Sequence, residues 1–178
     1  MKLVDIEKDL DVYGESMKRY MDAFQLPKSW LRNPDHFAIK CADELDYLET
    51  CQSLEKEVSK EGLWEISLDD RLLASAKLGG KVALGGFNFE WIEIMQPRPG
   101  KETKEGFVEH TEFFFPDLYE VLRVLEQCGA DATLQKNPGH EWVNLVIDDF
   151  GREIKFNDKP LADVVAAERS EGVLRRIS

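Results

Sequence analysis

The sequence is poor in sulfur, imidazole and positive charge. Its three cysteines, Cys41, Cys51 and Cys128, are odd in number and form no C-x-x-C pair. That pattern argues against a disulfide framework and a cysteine-rich zinc site. They read as reduced core thiols of a cytoplasmic protein. The stretch from Met1 to Asp9 has no apolar core or cleavage pattern, so no secretory leader is read there. No apolar run approaches the roughly 18 residues of a membrane-spanning helix. Lys and Arg number 23 against 35 Asp and Glu, a net charge of −12. A chain this acidic does not suit a nucleic-acid groove or an anionic membrane surface, which need clustered cations. Gly79-Gly80 and Gly85-Gly86 lack the strand–loop–helix setting of a phosphate cradle. No serine-nucleophile motif occurs.

What is present is enough for a sizeable core: 178 residues, 43% of them hydrophobic. Two of the three histidines stand near the start of similar strands. In Glu109-His110-Thr111-Glu112-Phe113-Phe114-Phe115, alternation puts His110, Glu112 and Phe114 on one face and Thr111, Phe113 and Phe115 on the other. In His36-Phe37-Ala38-Ile39-Lys40-Cys41 the same rule sets His36 and Lys40 against Phe37, Ile39 and Cys41. Each strand runs into an aspartate, Asp43 or Asp117, suited to cap a helix.

The spacing predicts an α+β fold of two βαβββ units, residues 35–100 and 101–158, forming a curved mixed sheet around a cleft. A helical extension over 1–34 precedes them, with Val4, Leu10, Met17, Tyr20, Met21 and Phe24 inward. The first unit has a helix from Asp43 to about Lys60 with Leu45, Leu48, Cys51, Leu54 and Val58 on its apolar face, and Glu61-Gly62 ending it. Strands at 63–69, 71–78 and 87–96 follow, with Gly79-Gly80 as a break. The second unit has a helix from Asp117 to Cys128 with Leu118, Val121, Leu122, Leu125 and Cys128 inward. Its strands fall at 132–135, 141–147 and 152–157, with a turn at Lys136-Asn137-Pro138-Gly139. A terminal helix and tail occupy 159–178, with Leu161, Val164 and Val165 inward and Arg175-Arg176 expected to fray. Placing His110 over His36 also places Asp117 over Asp43 and Leu125 over Cys51. Trp91-Ile92-Glu93-Ile94 then resembles Gly151-Arg152-Glu153-Ile154 in pattern.

Strand parity sends one mixed polar face of every strand to the shared cleft. The candidate ligands there are His36, Glu93, His110 and Glu153, whose imidazole nitrogens and carboxylate oxygens suit a divalent first-row metal (Mn, Fe, Ni or Zn). Glu112, Asn144, Lys155 and Asn157 line the same cleft. Against this stands the plainer reading, in which strand histidines are hydrogen-bonded core residues and the glutamates face water. His140 reads as a solvated turn residue.

Asp35-His36, Pro97-Arg98-Pro99-Gly100-Lys101, Val108-Glu109-His110-Thr111-Glu112, Glu153-Ile154-Lys155-Phe156 and the following Leu161–Glu168 stretch resemble the YecM family, part of the vicinal oxygen chelate superfamily. The resemblance runs from about Asp35 to Glu168. It implies paired βαβββ units with a metal held by His36, Glu93, His110 and Glu153, the two carboxylates also moving protons. Asn157 stands where the family carries a histidine, and alignment through the Pro-x-Pro-Gly turn sets the family's carboxylate nearer Met95 than Glu93, so the fourth ligand stays open between Asn157 and Glu153 and the second stays open too. The implied activity is that of a metal-dependent isomerase, lyase or dioxygenase on a small oxygen-bearing metabolite. The competing reading is a non-catalytic small-molecule-binding protein on the same fold, and a third is a partner-binding module. Either a monomer or a homodimer would complete the cleft.

Overall fold

Asp43 and Asp117 each turn a strand into a helix. Their carboxylates accept the first-turn backbone N–H groups of Asp46 at 2.8 Å and Glu120 at 3.0 Å, caps worth about 1 kcal/mol each. The computed structural model describes residues 3–32, 34–137 and 140–177. Asn33 and the expected turn residues Pro138 and Gly139 lie outside the described residues, as does the side chain of Val4.

Helix α1 spans Leu3–Ala23, and a 3-10 turn covers Lys28–Arg32. The first half follows as β1 (Pro34–Lys40), α2 (Glu44–Leu54), β2 (Val58–Leu68), β3 (Arg71–Leu84) and β4 (Phe87–Met95). The second repeats the order as β5 (Phe107–Phe114), α3 (Leu118–Gln127), β6 (Ala132–Asn137), β7 (His140–Val146) and β8 (Glu153–Asn157). Helix α4 (Leu161–Ser170) and β9 (Arg175–Arg176) complete the described chain. One nine-stranded mixed sheet runs β6-β7-β8-β5-β1-β4-β3-β2-β9. Each half therefore contributes its four strands in the same order, and the halves meet through antiparallel β1 and β5. No helix among the described residues is long and apolar enough to cross a membrane.

The core lies on the sheet face turned away from the histidines. Phe37, Phe89, Phe113 and Phe156 form a chain of ring contacts at 5.9–6.1 Å, stitching β1, β4, β5 and β8 across the boundary between halves. Helix α1 is fastened over this seam. The Tyr13 hydroxyl donates to the Glu153 carbonyl and accepts from the Thr111 N–H at 2.9 Å. Asp9 takes the Val108 N–H and the Arg152 guanidinium. Burial drives the Tyr13 hydroxyl pKa upward, keeping it a neutral donor. Gly14 permits a close approach to the β3–β4 turn, since a Cβ there would stand 2.7 Å from the Gly85 nitrogen.

Several local expectations are corrected. Helix α2 stops at Leu54, because β-branched Val58 pairs with Leu78 in the β2–β3 ladder. Its buried face is Tyr47, Thr50, Cys51 and Leu54, while Leu45 and Leu48 are exposed. Gly79-Gly80 does not break β3. The Gly79 N–H bonds the Glu57 carbonyl at 2.7 Å, and the glycines lie where the ladder shifts register. Cys128 is exposed, whereas Cys41 and Cys51 are buried. Arg175-Arg176 pairs with Glu65-Trp64 of β2, with the Arg175 guanidinium on Glu65 and Arg169 4.3 Å over the Trp64 ring.

Candidate metal centre

Two irregularities in the β1–β5 ladder build the centre. His36 faces Glu112 and Ala38 faces His110, but Pro34 faces Phe113 and Ile39 faces Val108. Asp35 and Glu109 are thus the extra residues of two bulges, one on each strand, each just before a histidine. A bulge re-aims the side chain it carries. Here both acids turn to the neighbouring imidazole: Asp35 Oδ2 lies 3.0 Å from His36 Nδ1, and Glu109 Oε2 lies 3.2 Å from His110 Nδ1. Backing the Nδ1 of a histidine with a carboxylate fixes its ring and leaves Nε2 as a ligand atom.

Both Nε2 atoms face one oxygen. Glu112 Oε1 is 3.2 Å from His110 Nε2 and 3.7 Å from His36 Nε2. The rings meet edge to face at 5.9 Å. The three side chains are nearly sealed, with exposures of 4% for His36, 2% for His110 and 12% for Glu112. Among the described residues, these three offer ligand atoms lying within 4.8 Å of one another. Bonds of about 2.1 Å would set neighbouring ligand atoms about 3.0–3.4 Å apart. The spacing and the N,N,O donor set fit a divalent first-row metal with open positions.

Electrostatics favour the charged forms of His36, Glu109 and Glu112. Burial lowers the His36 pKa, but the carboxylates of Glu112, Asp35 and Glu93 outweigh it and raise the value to about 9. Burial likewise raises the carboxyl pKa values of Glu112 and Glu109. His36, His110 and Lys155 overcome it at Glu112, well below the usual carboxylate range. At Glu109, His110, Lys155 and Lys40 bring the value down to about 2.

The strand register places the other predicted residues. One row across the site face reads Asn144, Lys155, Glu112, His36, Trp91; the next reads Glu153, His110, Ala38, Glu93. Glu93 sits across Ala38 from His110, and its charge acts on His36. Glu153 accepts from Asn144 Nδ2 at 3.2 Å and lies 3.7 Å from the Lys155 ammonium. Asn157 is buried behind Asp35, donating to it at 3.3 Å. His140 stacks on Trp142 with ring centroids 5.2 Å apart. Alternation put Glu112 and Lys155 on the cleft face without marking the closeness of Glu112 to both imidazoles or of Lys155 to His110. Asp35 and Glu109 escaped the reading as site residues, because strict alternation sends them to the opposite face. The acid–histidine dipeptides were the available signal.

The repeat is also sharper than the sequence pattern. An offset of 74 residues carries His36 to His110, Asp43 to Asp117 and Cys51 to Leu125, and it carries Ala38 to Glu112. In the closing strands, Trp91 lies opposite His36 as Glu153 lies opposite His110, and Glu93 lies opposite Ala38 as Lys155 lies opposite Glu112. The expected equivalence of Glu93 and Glu153 is therefore replaced by Trp91 with Glu153 and Glu93 with Lys155.

Helix α4 lies on the site side of the first half. Its first N–H, at Leu161, bonds Asp35 at 2.9 Å, and its far end brings Glu168 near Glu93 and Arg169 over Trp64. A groove of about 630 Å³ passes Asp35 between Trp91, Phe114 and Pro160. A larger one of about 740 Å³, lined by Asp9, Asp43 and Asp46, contains none of the three ligand residues.

No family model matches the chain, and no curated protein matches its sequence. Among solved structures it is similar to a structural-genomics protein, EC4020, with 19% identity and a TM-score of 0.78 over 93% of this chain and 92% of that one. It is also similar to methylmalonyl-CoA epimerase from Mycobacterium tuberculosis (18% identity, 82% of this chain, 99% of that, TM-score 0.49). A third is Streptomyces coelicolor methylmalonyl-CoA epimerase in complex with 2-nitronate-propionyl-CoA (14% identity, 70% of this chain, 95% of that, TM-score 0.49). The likeness to EC4020 shows a shared fold.

Proposed function

We propose that this chain is a metal-dependent enzyme of the vicinal oxygen chelate type, acting as an isomerase, lyase or dioxygenase on a small oxygen-bearing metabolite. The observation that carries the reading is the buried His36–His110–Glu112 set, with an acid behind each imidazole. A bound divalent metal would supply Lewis-acid polarisation of substrate oxygens. The chain's own residues supply the rest. Asp35 and Glu109 hold the rings. Glu153 and Glu93 are the carboxylates placed to move protons. Trp91 and Phe114 offer apolar walls along the groove beside Asp35. Placement in the YecM family rests on the quoted motifs, and buried Cys41 and Cys51 suit a reducing compartment such as the cytosol.

Elemental analysis of the purified protein beside His36→Ala and His110→Ala tests the reading. About one ion per chain, lost in both variants, supports it, and assays on dicarbonyls and catechols follow. Wild-type protein that stays metal-free after incubation with manganese, iron(II), nickel and zinc overturns it, leaving a binding pocket on the same fold.

A further inference from the structure

We propose that the groove between α1 and α2 docks a basic amphipathic helix of a partner protein; the proposal stands apart from the metal reading. The groove lies on the helix-covered face of the sheet, away from the histidines, and holds about 740 Å³. Its floor is apolar and uncovered. Val12 of α1 is 49% exposed and Leu45 of α2 is 63% exposed, and both line it. Leu48, 52% exposed, stands three residues beyond Leu45 and so on the same face of α2. Helix α2 thus has two apolar faces. Tyr47, Cys51 and Leu54 enter the core, while Leu45 and Leu48 meet solvent. Apolar side chains grouped along one groove mark a surface that another molecule covers.

The rim selects the occupant. Asp9, Asp43, Asp46, Glu49 and Glu105 surround the floor, against two lysines, Lys8 and Lys104. The carboxylates of Glu49 and Glu105 are exposed and have no cation partner among the described residues. Two copies of this groove placed face to face would set acid against acid, and the same charge repels anionic lipid and nucleic acid. The chain's own basic pair, Arg175-Arg176, is already held on β2. A helix with aliphatic residues on one side and Lys or Arg flanking them meets both demands. Its aliphatic side would cover Val12 and Leu45, and its cations would reach Glu49 and Glu105. The volume suits about two helical turns, each about 5.4 Å long and about 10 Å across.

The groove is also preformed. Asp46 Oδ2 accepts the Ala42 N–H at 2.8 Å, and the Ala42 carbonyl accepts the Thr103 N–H at 3.0 Å. Gly106 comes so close that a Cβ there would stand 2.7 Å from the same Asp46 oxygen. On the other wall, Asp9 is held by the Val108 N–H and the Arg152 guanidinium. These bonds tie α1, the start of α2 and the connection between the halves together, so a partner meets walls already in place.

Fluorescence anisotropy of a labelled Leu/Lys amphipathic peptide, about 18 residues long, titrated with the full chain tests this. Leu45→Ser and Glu49→Lys are each expected to weaken binding about tenfold. Val173→Ser, at an exposed position beyond α4, and Glu126→Lys, on α3, make like changes outside the groove and are expected to stay within about twofold of wild type. A loss in Glu126→Lys equal to that in Glu49→Lys shows attraction to net charge alone and overturns the proposal. So does a Leu/Glu peptide that binds as tightly as the Leu/Lys one, or no binding of the latter. Sedimentation and vesicle flotation address the other occupants. A wild-type dimer that Leu45→Ser dissolves assigns the face to a second copy, and capture on anionic vesicles that Leu45→Ser abolishes assigns it to a membrane; either overturns the proposal. Hydrogen exchange of the wild type needs no variant to fold. Protection gained over residues 8–12 and 43–49 on adding the Leu/Lys peptide supports docking in this groove, and protection confined elsewhere overturns it.

Discussion

The two halves of the molecule share a frame and differ in what they put on it. At the 74-residue offset both have a bulged acid, a histidine and a capping aspartate, yet Ala38 occupies the position that Glu112 fills in the second half. Trp91 and Glu93 in the first half answer to Glu153 and Lys155 in the second. The first half supplies one imidazole and an aromatic wall, and α4, from beyond the second half, lies across its site face. The second supplies the other imidazole, the carboxylate and the Lys155 cation. Symmetry sets where the ligands stand, and its breaking at three positions provides the chemistry.

The comparison breaks most sharply at Glu112. Glu112→Ala is expected to lower metal affinity about 1,000-fold, roughly 4 kcal/mol, while Glu93→Ala and Glu153→Ala each cost less than about tenfold. Competition titration with a chromophoric chelator reads all three. The equivalent core pair Leu125 and Cys51 comes next. Leu125→Ala should cost about 3 kcal/mol and Cys51→Ala about 1 kcal/mol, measured by urea midpoints, because more buried volume is lost at the leucine.

The His36 site predicts a pH effect of similar size in chelator-treated protein. Its folded pKa of about 9 exceeds the ordinary 6.5, so its contribution is complete below about pH 6.5 and disappears as the pH rises through 9. Stability from urea titrations should fall by about 3 kcal/mol between pH 6 and 9.5, and His36→Gln should flatten that fall. Gly14→Ala should destabilise by about 1–2 kcal/mol although alanine favours helix, since its Cβ would meet the Gly85 backbone. The smallest expected effect is symmetrical. Asp43→Ala and Asp117→Ala should each lower thermal stability by about 1 kcal/mol, and a clear inequality would show that the caps are not equivalent.

Much of this frame was legible in the residues. Helix caps and strand alternation are local, so Asp43, Asp117 and the polar faces bearing His36 and His110 could be read directly. The closing-strand equivalence could not. Strands β2 and β3 have 11 and 14 residues against 6 and 7 in β6 and β7, and this length difference disguises which residue lies beside which histidine. Bulges were equally hidden, because one extra residue reverses the parity on which face assignment depends. The face of α2 was misjudged for another reason. Tyr47 enters the core with its hydroxyl satisfied by Glu65 at 2.8 Å, while the leucines beside it remain in solvent.

Asp35 and Leu161 are joined across 126 positions of sequence. At about 5–20 residues per second of synthesis, roughly 6–25 s separate the appearance of one from that of the other. Once His110 has been added the nascent chain contains both imidazoles, but the helix start that secures Asp35 behind His36 has yet to be made. A truncation removing α4 should therefore impair metal capture more than assembly of the sheet, and the growing polypeptide gains its complete centre only once α4 has been made.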